Sequence, residues 1–307
     1  MTLPLPVRQS ATARSQEGTL GRDNISADSF HPPAGLNHLR YIAELFSHQG
    51  GKVLVVGEYG CPYTTPAEAI ALAVSGDVVL ITPGTYDCSA SGVTSISPKA
   101  GVPVIGVNRD TCIIGCGNAD ASVIFNTATA TDVYSFANLT FQSTATSSWA
   151  PLVTSLGNAG TVYFDNCVFE PKGTGNAFTM NAADAATVWL RDCIFKVNTA
   201  RTPLVLKGGT VYVERCSATI TGAPTAAFKF ITVGDPTAGT TTVYVRDCFL
   251  TGTGGDEVAF TALTGATTAK VVVSQGNYAQ LTAGGSEANV LAKLGHLSPQ
   301  FQTQLVV

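Results

Sequence analysis

Short runs in which apolar and polar residues alternate recur along most of the chain. Five such runs align without gaps from a leading valine: residues 133–138 (VYSFAN), 162–167 (VYFDNC), 188–193 (VWLRDC), 211–216 (VYVERC) and 243–248 (VYVRDC). A sixth, degenerate run begins at Val271, and the six leading valines lie 29, 26, 23, 32 and 28 residues apart. Alternation with a period of two predicts β-strands with one buried face. A repeated pitch with turn-rich connections predicts a parallel β-solenoid, in which each coil buries its apolar face by stacking on the next.

Helix signals stand only near the two ends of this repeat. Asn37 is placed to cap a short helix that ends before Gly50. Thr65 and Glu68 form a capping box around Pro66 and predict a helix that runs to about residue 74. Residues 286–295 form a third predicted helix. Terminal helices of this kind would cover the exposed edges of the stack.

The chain is therefore expected to contain three parts. Residues 1–50 form an N-terminal arm with a short helix, residues 51–280 form the solenoid, and residues 281–307 form a C-terminal cap or tail. The spacing of the strands fits about eight coils.

Residues 63–73 (YTTPAEAIALA), 76–86 (GDVVLITPGTY) and 104–115 (VIGVNRDTCIIG) carry a family resemblance. They resemble the N-terminal cap and first coils of pectin-lyase-like right-handed β-helix proteins. The resemblance extends over about residues 52–278. It implies an all-β fold: a right-handed parallel β-helix of about eight coils with short capping helices and an extended N-terminal arm. That superfamily includes polysaccharide lyases, hydrolases and esterases as well as phage tailspikes and non-enzymatic virion proteins, so the fold alone does not give the function.

The charge and hydropathy of the chain argue against some classes of binding partner. Charged residues make up 12% of the chain, and 17 Lys and Arg against 21 Asp and Glu leave a net charge of −4. Without a basic stripe, nucleic acid is not expected as a partner. No apolar run approaches the roughly 18 residues of a membrane span, and the N-terminus lacks the apolar core of a signal peptide. We therefore expect synthesis in the cytoplasm, no membrane insertion, and reduced cysteines.

The repeat offers charged residues but no histidine. The four histidines are His31, His38, His48 and His296, so none lies in the coils. Instead, the fourth repeat position carries charges of alternating sign: Asp165, Arg191, Glu214 and Arg246. The fifth position carries Asn166, Asp192, Arg215 and Asp247. Alternating signs suit a ladder of ion pairs between coils, whereas a catalytic acid cluster would place like charges together. We therefore expect a structural ladder and no enzyme; Asp256 and Glu257 remain a candidate loop site, with a solvated turn favoured.

Cysteines repeat in the same way. Cys167, Cys193, Cys216 and Cys248 share one repeat position, with Asn138 below them and Gly276 above. Stacked side chains about 4.8 Å apart suit a disulfide poorly, so buried free thiols are expected. Cys112 and Cys116 lack a second pair of ligands, and no zinc site, other metal or cofactor is expected.

The second repeat position is aromatic in all five aligned runs: Tyr134, Tyr163, Trp189, Tyr212 and Tyr244. Strand alternation turns these side chains away from the buried valines, so they form an outward column. Such a column needs a partner, because large exposed apolar patches are uncommon. It could be a subunit interface, a sugar-stacking surface, or a surface covered by the chain's own arm. Cover by protein is favoured.

These observations favour a structural virion protein: a bacteriophage capsid decoration or cement protein that binds the lattice through its N-terminal arm. The resemblance implies a homotrimer on the capsid surface, with the major capsid protein as its second partner. A tailspike or receptor-binding protein that recognises a surface glycan is the first alternative. A polysaccharide lyase or a pectin-esterase-like enzyme is the second.

Overall fold

The fold is described from a computed structural model. It describes residues 51–87, 96–116, 123–126, 132–143, 152–156, 160–171, 177–182, 186–197, 203–220, 228–233, 241–252, 258–263, 269–273, 278–281 and 304–306. The elements in chain order are β1 Val53–Val56, α1 Pro66–Leu72, β2 Val78–Ile81, β3 Gly84–Asp87, β4 Val104–Gly106, β5 Cys112–Cys116, β6 Val123–Asn126, β7 Val133–Ala137, β8 Thr140–Ser143, β9 Leu152–Leu156, β10 Thr161–Asp165, β11 Val168–Pro171, β12 Phe178–Ala182, β13 Thr187–Arg191, β14 Ile194–Val197, β15 Leu204–Lys207, β16 Thr210–Glu214, β17 Ser217–Ile220, β18 Phe228–Val233, β19 Thr241–Arg246, β20 Phe249–Gly252, β21 Val258–Leu263, β22 Ala269–Val273, β23 Tyr278–Leu281 and β24 Gln304–Val306.

The strands form three parallel sheets. The first sheet has the order β1-β2-β4-β7-β10-β13-β16-β19-β22, the second β24-β23-β20-β17-β14-β11-β8-β5-β3, and the third β21-β18-β15-β12-β9-β6. Each coil contributes one strand to a sheet and then passes to the next sheet, so neighbouring strands come from successive coils. The predicted all-β parallel solenoid is confirmed, and the first sheet stacks nine strands where the sequence predicted about eight coils.

Large apolar side chains fill the space between the sheets. In the first sheet, Val162 and Phe164 are fully buried, while the residues beside them are only partly buried. Phenylalanines from successive coils stack inside: the ring centroids of Phe136 and Phe164 are 5.2 Å apart, and those of Phe169 and Phe195 are also 5.2 Å apart. These stacks bind each coil to the next, because no single coil can bury its own apolar face.

Helix α1 begins at the capping box that the sequence predicted. The Thr65 side chain accepts a hydrogen bond from the Glu68 backbone N–H, and the Glu68 carboxylate accepts one from the Thr65 backbone N–H. At the other end, the Lys99 ammonium donates to the carbonyl oxygens of Ala71 and Ala73, at 2.7 and 2.8 Å. Both ends therefore have partners for backbone groups that a short helix leaves unpaired.

The other predicted helices, within residues 37–50 and 286–295, lie outside the described residues. The chain divides into two units after Val53, and nearly all described residues belong to the second unit, Leu54–Val307. The separate arm, body and cap remain a prediction. Within the described part of the chain, no helix has the length and apolar character needed to cross a membrane.

Candidate functional site

The outer face of the first sheet carries three continuous rows of side chains. Strands β10, β13, β16 and β19 are in register, so equivalent residues of four coils lie beside one another. Because their valines point inward, the residues at alternate positions point outward. We call these twelve residues the outer strip: a threonine row (Thr161, Thr187, Thr210, Thr242), an aromatic row (Tyr163, Trp189, Tyr212, Tyr244) and a charged row (Asp165, Arg191, Glu214, Arg246).

The aromatic row forms one stack of half-buried rings. The centroids of Trp189 and Tyr212 are 3.9 Å apart, and those of Tyr212 and Tyr244 are 4.9 Å apart, with planes inclined by 9° and 8°. Coplanar rings lying side by side would collide before their centroids came this close, so these rings overlap face to face. Tyr163 continues the row at 6.4 Å from Trp189. The stack therefore turns ring edges, rather than the faces of its inner rings, toward the surroundings.

Arg191 connects the aromatic row to the charged row. Its guanidinium carbon lies 5.4 Å from the Tyr163 ring centroid and 5.8 Å from that of Trp189. Its Nε and Nη2 donate to the two carboxylate oxygens of Asp165 at 2.6 and 2.9 Å. These hydrogen bonds raise the pKa of Arg191 above its usual value. Arg191 is thus held in place by a carboxylate and two rings at once.

A second ion pair continues the charged row. Arg246 Nη2 lies 2.8 Å from a carboxylate oxygen of Glu214. The signs along the row are therefore negative, positive, negative, positive over four coils, as the sequence predicted for a ladder. The four side chains are still 17 to 53% exposed, so they can contact another molecule.

The turn that follows each strand of the first sheet has an unusual backbone. Five non-glycine residues there have φ between 50° and 55°: Asn138, Asn166, Asp192, Arg215 and Asp247. Their side chains interact between coils, since the Asn166 amide donates to the Asn138 side-chain oxygen and Arg215 donates twice to the Asp192 carboxylate. The bonds from Arg215 lower the pKa of Asp192. These turn residues form a second ladder of contacts between coils, next to the charged row at the edge of the outer strip.

The repeated cysteines lie inside the solenoid. Cys167, Cys193, Cys216 and Cys248 are buried free thiols, and each Sγ donates to backbone carbonyl oxygens. Cys112 occupies the same inner row two coils earlier, where its Sγ donates to the Ile81 carbonyl. Burial raises the pKa of the Cys167 and Cys216 thiols well above their usual range. The row therefore packs the interior of the solenoid, and burial keeps the Cys167 and Cys216 thiols protonated.

The predicted aromatic column is wrong at its first member. Tyr134 pairs with Val162 rather than with Tyr163, so the run at residues 133–138 is displaced by one residue. Because one residue of displacement exchanges the two faces of a strand, Tyr134 is only 4% exposed and Val133 is 46% exposed. Ser135 takes the outward position next to Tyr163. The same displacement places Leu139, not Asn138, below Cys167 in the inner row.

A longer alignment would have found this register. Phe141, Phe169 and Phe195 each follow the turn residue by three positions, and their rings stack in successive coils. Aligning the runs on these phenylalanines places Asn138 beside Asn166, as the structure does.

Among the described side chains, no three His, Cys, Asp or Glu residues come together as a metal site. Asp256 and Glu257 lie outside the described residues, as does the side chain of Cys116.

Comparison with known proteins gives structural likeness only. No family model matches the sequence, and no curated protein matches it either. Three similar solved structures are pectin methylesterases. One, from carrot, is 13% identical, with 83% of this chain and 88% of that chain covered and a TM-score of 0.39. One from Erwinia chrysanthemi is 14% identical, with 76% and 80% covered and a TM-score of 0.38. One in complex with a hexasaccharide is 12% identical, with 83% and 89% covered and a TM-score of 0.38.

The three sheets and the parallel register between successive coils establish the fold. This chain is a parallel β-helix. At 12 to 14% identity, the likeness reaches no further than the fold of the β-helix.

These neighbours correct the expectation that the chain is not an enzyme. That expectation relied on the lack of histidine in the coils and on the alternating charges of the ladder. The solved β-helices that resemble this chain are named as esterases. A coil without histidine is also not excluded from catalysis, because Asp, Glu, Lys and Tyr can serve as general acids and bases. The expectation is withdrawn.

Proposed function

We propose that this β-helix is an assembly protein that associates with further copies of itself through the outer strip. The observation that carries the proposal is the composition of the strip. Three tyrosines, a tryptophan and an arginine lie side by side on one sheet face, and these residue types are enriched at the centres of protein interfaces.

The side chains of the outer strip are held in fixed positions, which also supports protein binding. The rings are fixed by stacking, and Arg191 is fixed by Asp165 and two rings. Side chains that are already ordered lose little conformational entropy when a partner covers them. The rim of threonines and charges supplies hydrogen-bonding groups around the aromatic centre, which is the usual arrangement of an interface.

Sugar stacking suits this geometry less well. A pyranose ring packs on the open face of an aromatic ring, whereas both faces of Tyr212 are taken by Trp189 and Tyr244. Ring edges with phenol hydroxyl groups can still meet the edges and backbone of another protein. A protein partner is therefore favoured over a glycan.

A bacteriophage capsid is one assembly in which such a chain would act. Decoration of the capsid surface, binding to the major capsid protein and a lattice-binding role for residues 1–50 remain predictions. The homotrimer that the resemblance implies is an alternative to a dimer through the outer strip, and the mass of the assembly distinguishes the two. Removing residues 1–35 from the full chain should abolish binding to purified phage particles if the arm holds the lattice. Unchanged binding to those particles would rule out that role.

Two matched tyrosine variants test self-association. Tyr212→Ser removes the ring at the centre of the stack, and Tyr59→Ser removes a ring that is 85% exposed and lies outside the strip. Loss of an interface hot spot costs about 2 kcal/mol or more, and both copies carry the change, so Tyr212→Ser should weaken self-association at least about 30-fold, measured by sedimentation equilibrium. Tyr59→Ser should leave it unchanged. Equal effects of the two variants, or none, would show that the strip is not the contact.

The same preparations separate the competing functions. Binding to pectin or another polysaccharide that Tyr212→Ser abolishes, without any self-association, would replace the proposal with glycan recognition. Release of methanol from methyl-esterified pectin would assign the chain the activity for which the similar structures are named. If Tyr212→Ser leaves that release intact, the active site lies away from the strip.

A further inference from the structure

We propose that two copies of the chain meet at the outer strip with their coils running in opposite directions, so that the charged row of one faces the charged row of the other. This inference rests on the proposed function and specifies the orientation and register of the partner. It follows from the order of the charges in the row rather than from its composition.

The outer strips of two copies can face each other across a two-fold axis in two principal ways. If the axis runs along the strands, the coil order is reversed and each row faces its own counterpart. If the axis runs along the solenoid, the coil order is kept and the charged row of each copy faces the threonine row of the other. Both are closed, isologous arrangements, so the chemistry of the rows must discriminate between them.

The charge order favours the first arrangement. The row reads negative, positive, negative, positive from Asp165 to Arg246. Reversed, it reads positive, negative, positive, negative, so opposite signs meet at all four levels. Asp165 then faces the partner's Arg246, and Arg191 faces the partner's Glu214. The internal ion pairs become part of a network across the interface, and electrostatic complementarity of this kind fixes the register.

The aromatic row is compatible with the same register. With the two-fold axis between β13 and β16, Trp189 faces the partner's Tyr212, and Tyr163 faces the partner's Tyr244. The two contacts between Trp189 of one copy and Tyr212 of the other thus lie next to the axis, at the centre of the interface, where hot spots cluster. The threonine rows meet on the other side and can exchange hydroxyl hydrogen bonds.

The area of the outer strip indicates how strongly two copies should associate. Five residues at about 3.3 Å and four strands at about 4.8 Å give a flat area of about 300 Å² on each copy. Both copies together fall below the roughly 1,200 Å² of a standard interface, so we expect dissociation in the micromolar range. The measurement therefore needs protein concentrations up to several hundred micromolar. It also needs low salt, because exposed charge pairs are screened at high ionic strength.

Two double variants test the register directly. Asp165→Arg with Arg191→Asp, and separately Glu214→Arg with Arg246→Glu, each reverse one ion pair and so keep it intact within the chain. In the antiparallel arrangement, each variant meets itself with like charges at all four levels. Each should lose self-association at least about 100-fold, because like charges placed opposite one another cost several kcal/mol.

Mixing these two variants should restore association. The reversed row of one then opposes the other with opposite signs at every level, so the mixture should dimerise about as tightly as the unmodified chain. Two variants that stay monomeric together, or that each still self-associate, would overturn the antiparallel register. If the unmodified chain does not associate at all, the proposed function itself fails. If the unmodified chain self-associates and Tyr212→Ser prevents this association, but the charge-reversal variants associate normally, only the proposed register fails.

A third variant covers the case in which one of these chains does not fold. Arg191→Glu with Glu214→Arg breaks both internal ion pairs, yet it leaves opposite signs facing at all four levels of the antiparallel contact. We expect its self-association to stay within about 10-fold of the unmodified chain, although its internal ladder is damaged. A loss as large as that of the two self-repelling variants would also overturn the register.

Discussion

The corrected position of Tyr134 makes a sharp prediction about stability. Tyr134 is 4% exposed and lies in the core, whereas Tyr244 occupies the outer strip and is only half-buried. An aromatic side chain buries about 150–250 Å², which at about 25 cal/mol per Å² corresponds to about 4–6 kcal/mol. Truncations of buried aromatic residues to alanine cost about 3–5 kcal/mol. Tyr134→Ala should therefore lower the free energy of unfolding by about 4 kcal/mol.

Tyr244→Ala is the matched control in a neighbouring part of the same sheet. It loses stacking on Tyr212, with centroids 4.9 Å apart, and part of its burial. Stacking accounts for about 0.5–1.5 kcal/mol, so the total loss should be about 1–2 kcal/mol. A third variant, Tyr134→Phe, keeps the ring and removes only the hydroxyl group that donates to Asp132 at 3.0 Å, for about 1 kcal/mol.

Urea unfolding followed by circular dichroism measures all three variants. The dependence of unfolding free energy on urea should stay the same in each, because a changed slope would mean that the unfolding reaction itself has changed. If Tyr134→Ala costs no more than Tyr244→Ala, then Tyr134 is not a core residue, and the register derived for β7 is wrong.

Two further predictions concern the Asp192–Arg215 ion pair and the buried cysteines. Since Arg215 lowers the pKa of Asp192, this carboxylate stabilises the fold above its usual pKa of about 3.9. That stabilisation is lost as the pH falls through the lowered value. The free energy of unfolding should thus fall more steeply below pH 4 in the unmodified chain than in Asp192→Asn; parallel profiles would show that the pair contributes nothing. For the inner thiols, brief alkylation of the native chain followed by peptide mapping should leave the five buried cysteines unmodified: Cys112, Cys167, Cys193, Cys216 and Cys248. Rapid labelling of any of them would contradict their burial.

The sequence was sufficient for the solenoid because its signal is periodic. Strand alternation and a repeated pitch are local features, and stacking makes equal positions neighbours, so the partners Asp165–Arg191 and Glu214–Arg246 could be read directly from the alignment. The capping box of α1 is likewise complete within four residues. These features need no information from distant parts of the chain.

Register and ring orientation required the structure. The Val-Tyr pair at residues 133–134 matched the later runs by chance, and a displacement of one residue reverses inside and outside. Asn and Asp at the turn suit a positive φ, but Arg215 in the same conformation gives no such signal. Whether stacked rings present faces or edges depends on side-chain torsions, which the alternation of residue types does not determine.

Self-association is tested most directly by the mass of the unmodified full-length chain in solution, measured by light scattering over a concentration series. We expect a mass of 31.7 kDa at low micromolar concentration and a reversible rise toward twice that mass at several hundred micromolar. A constant mass of 31.7 kDa over the whole range at low salt would contradict it.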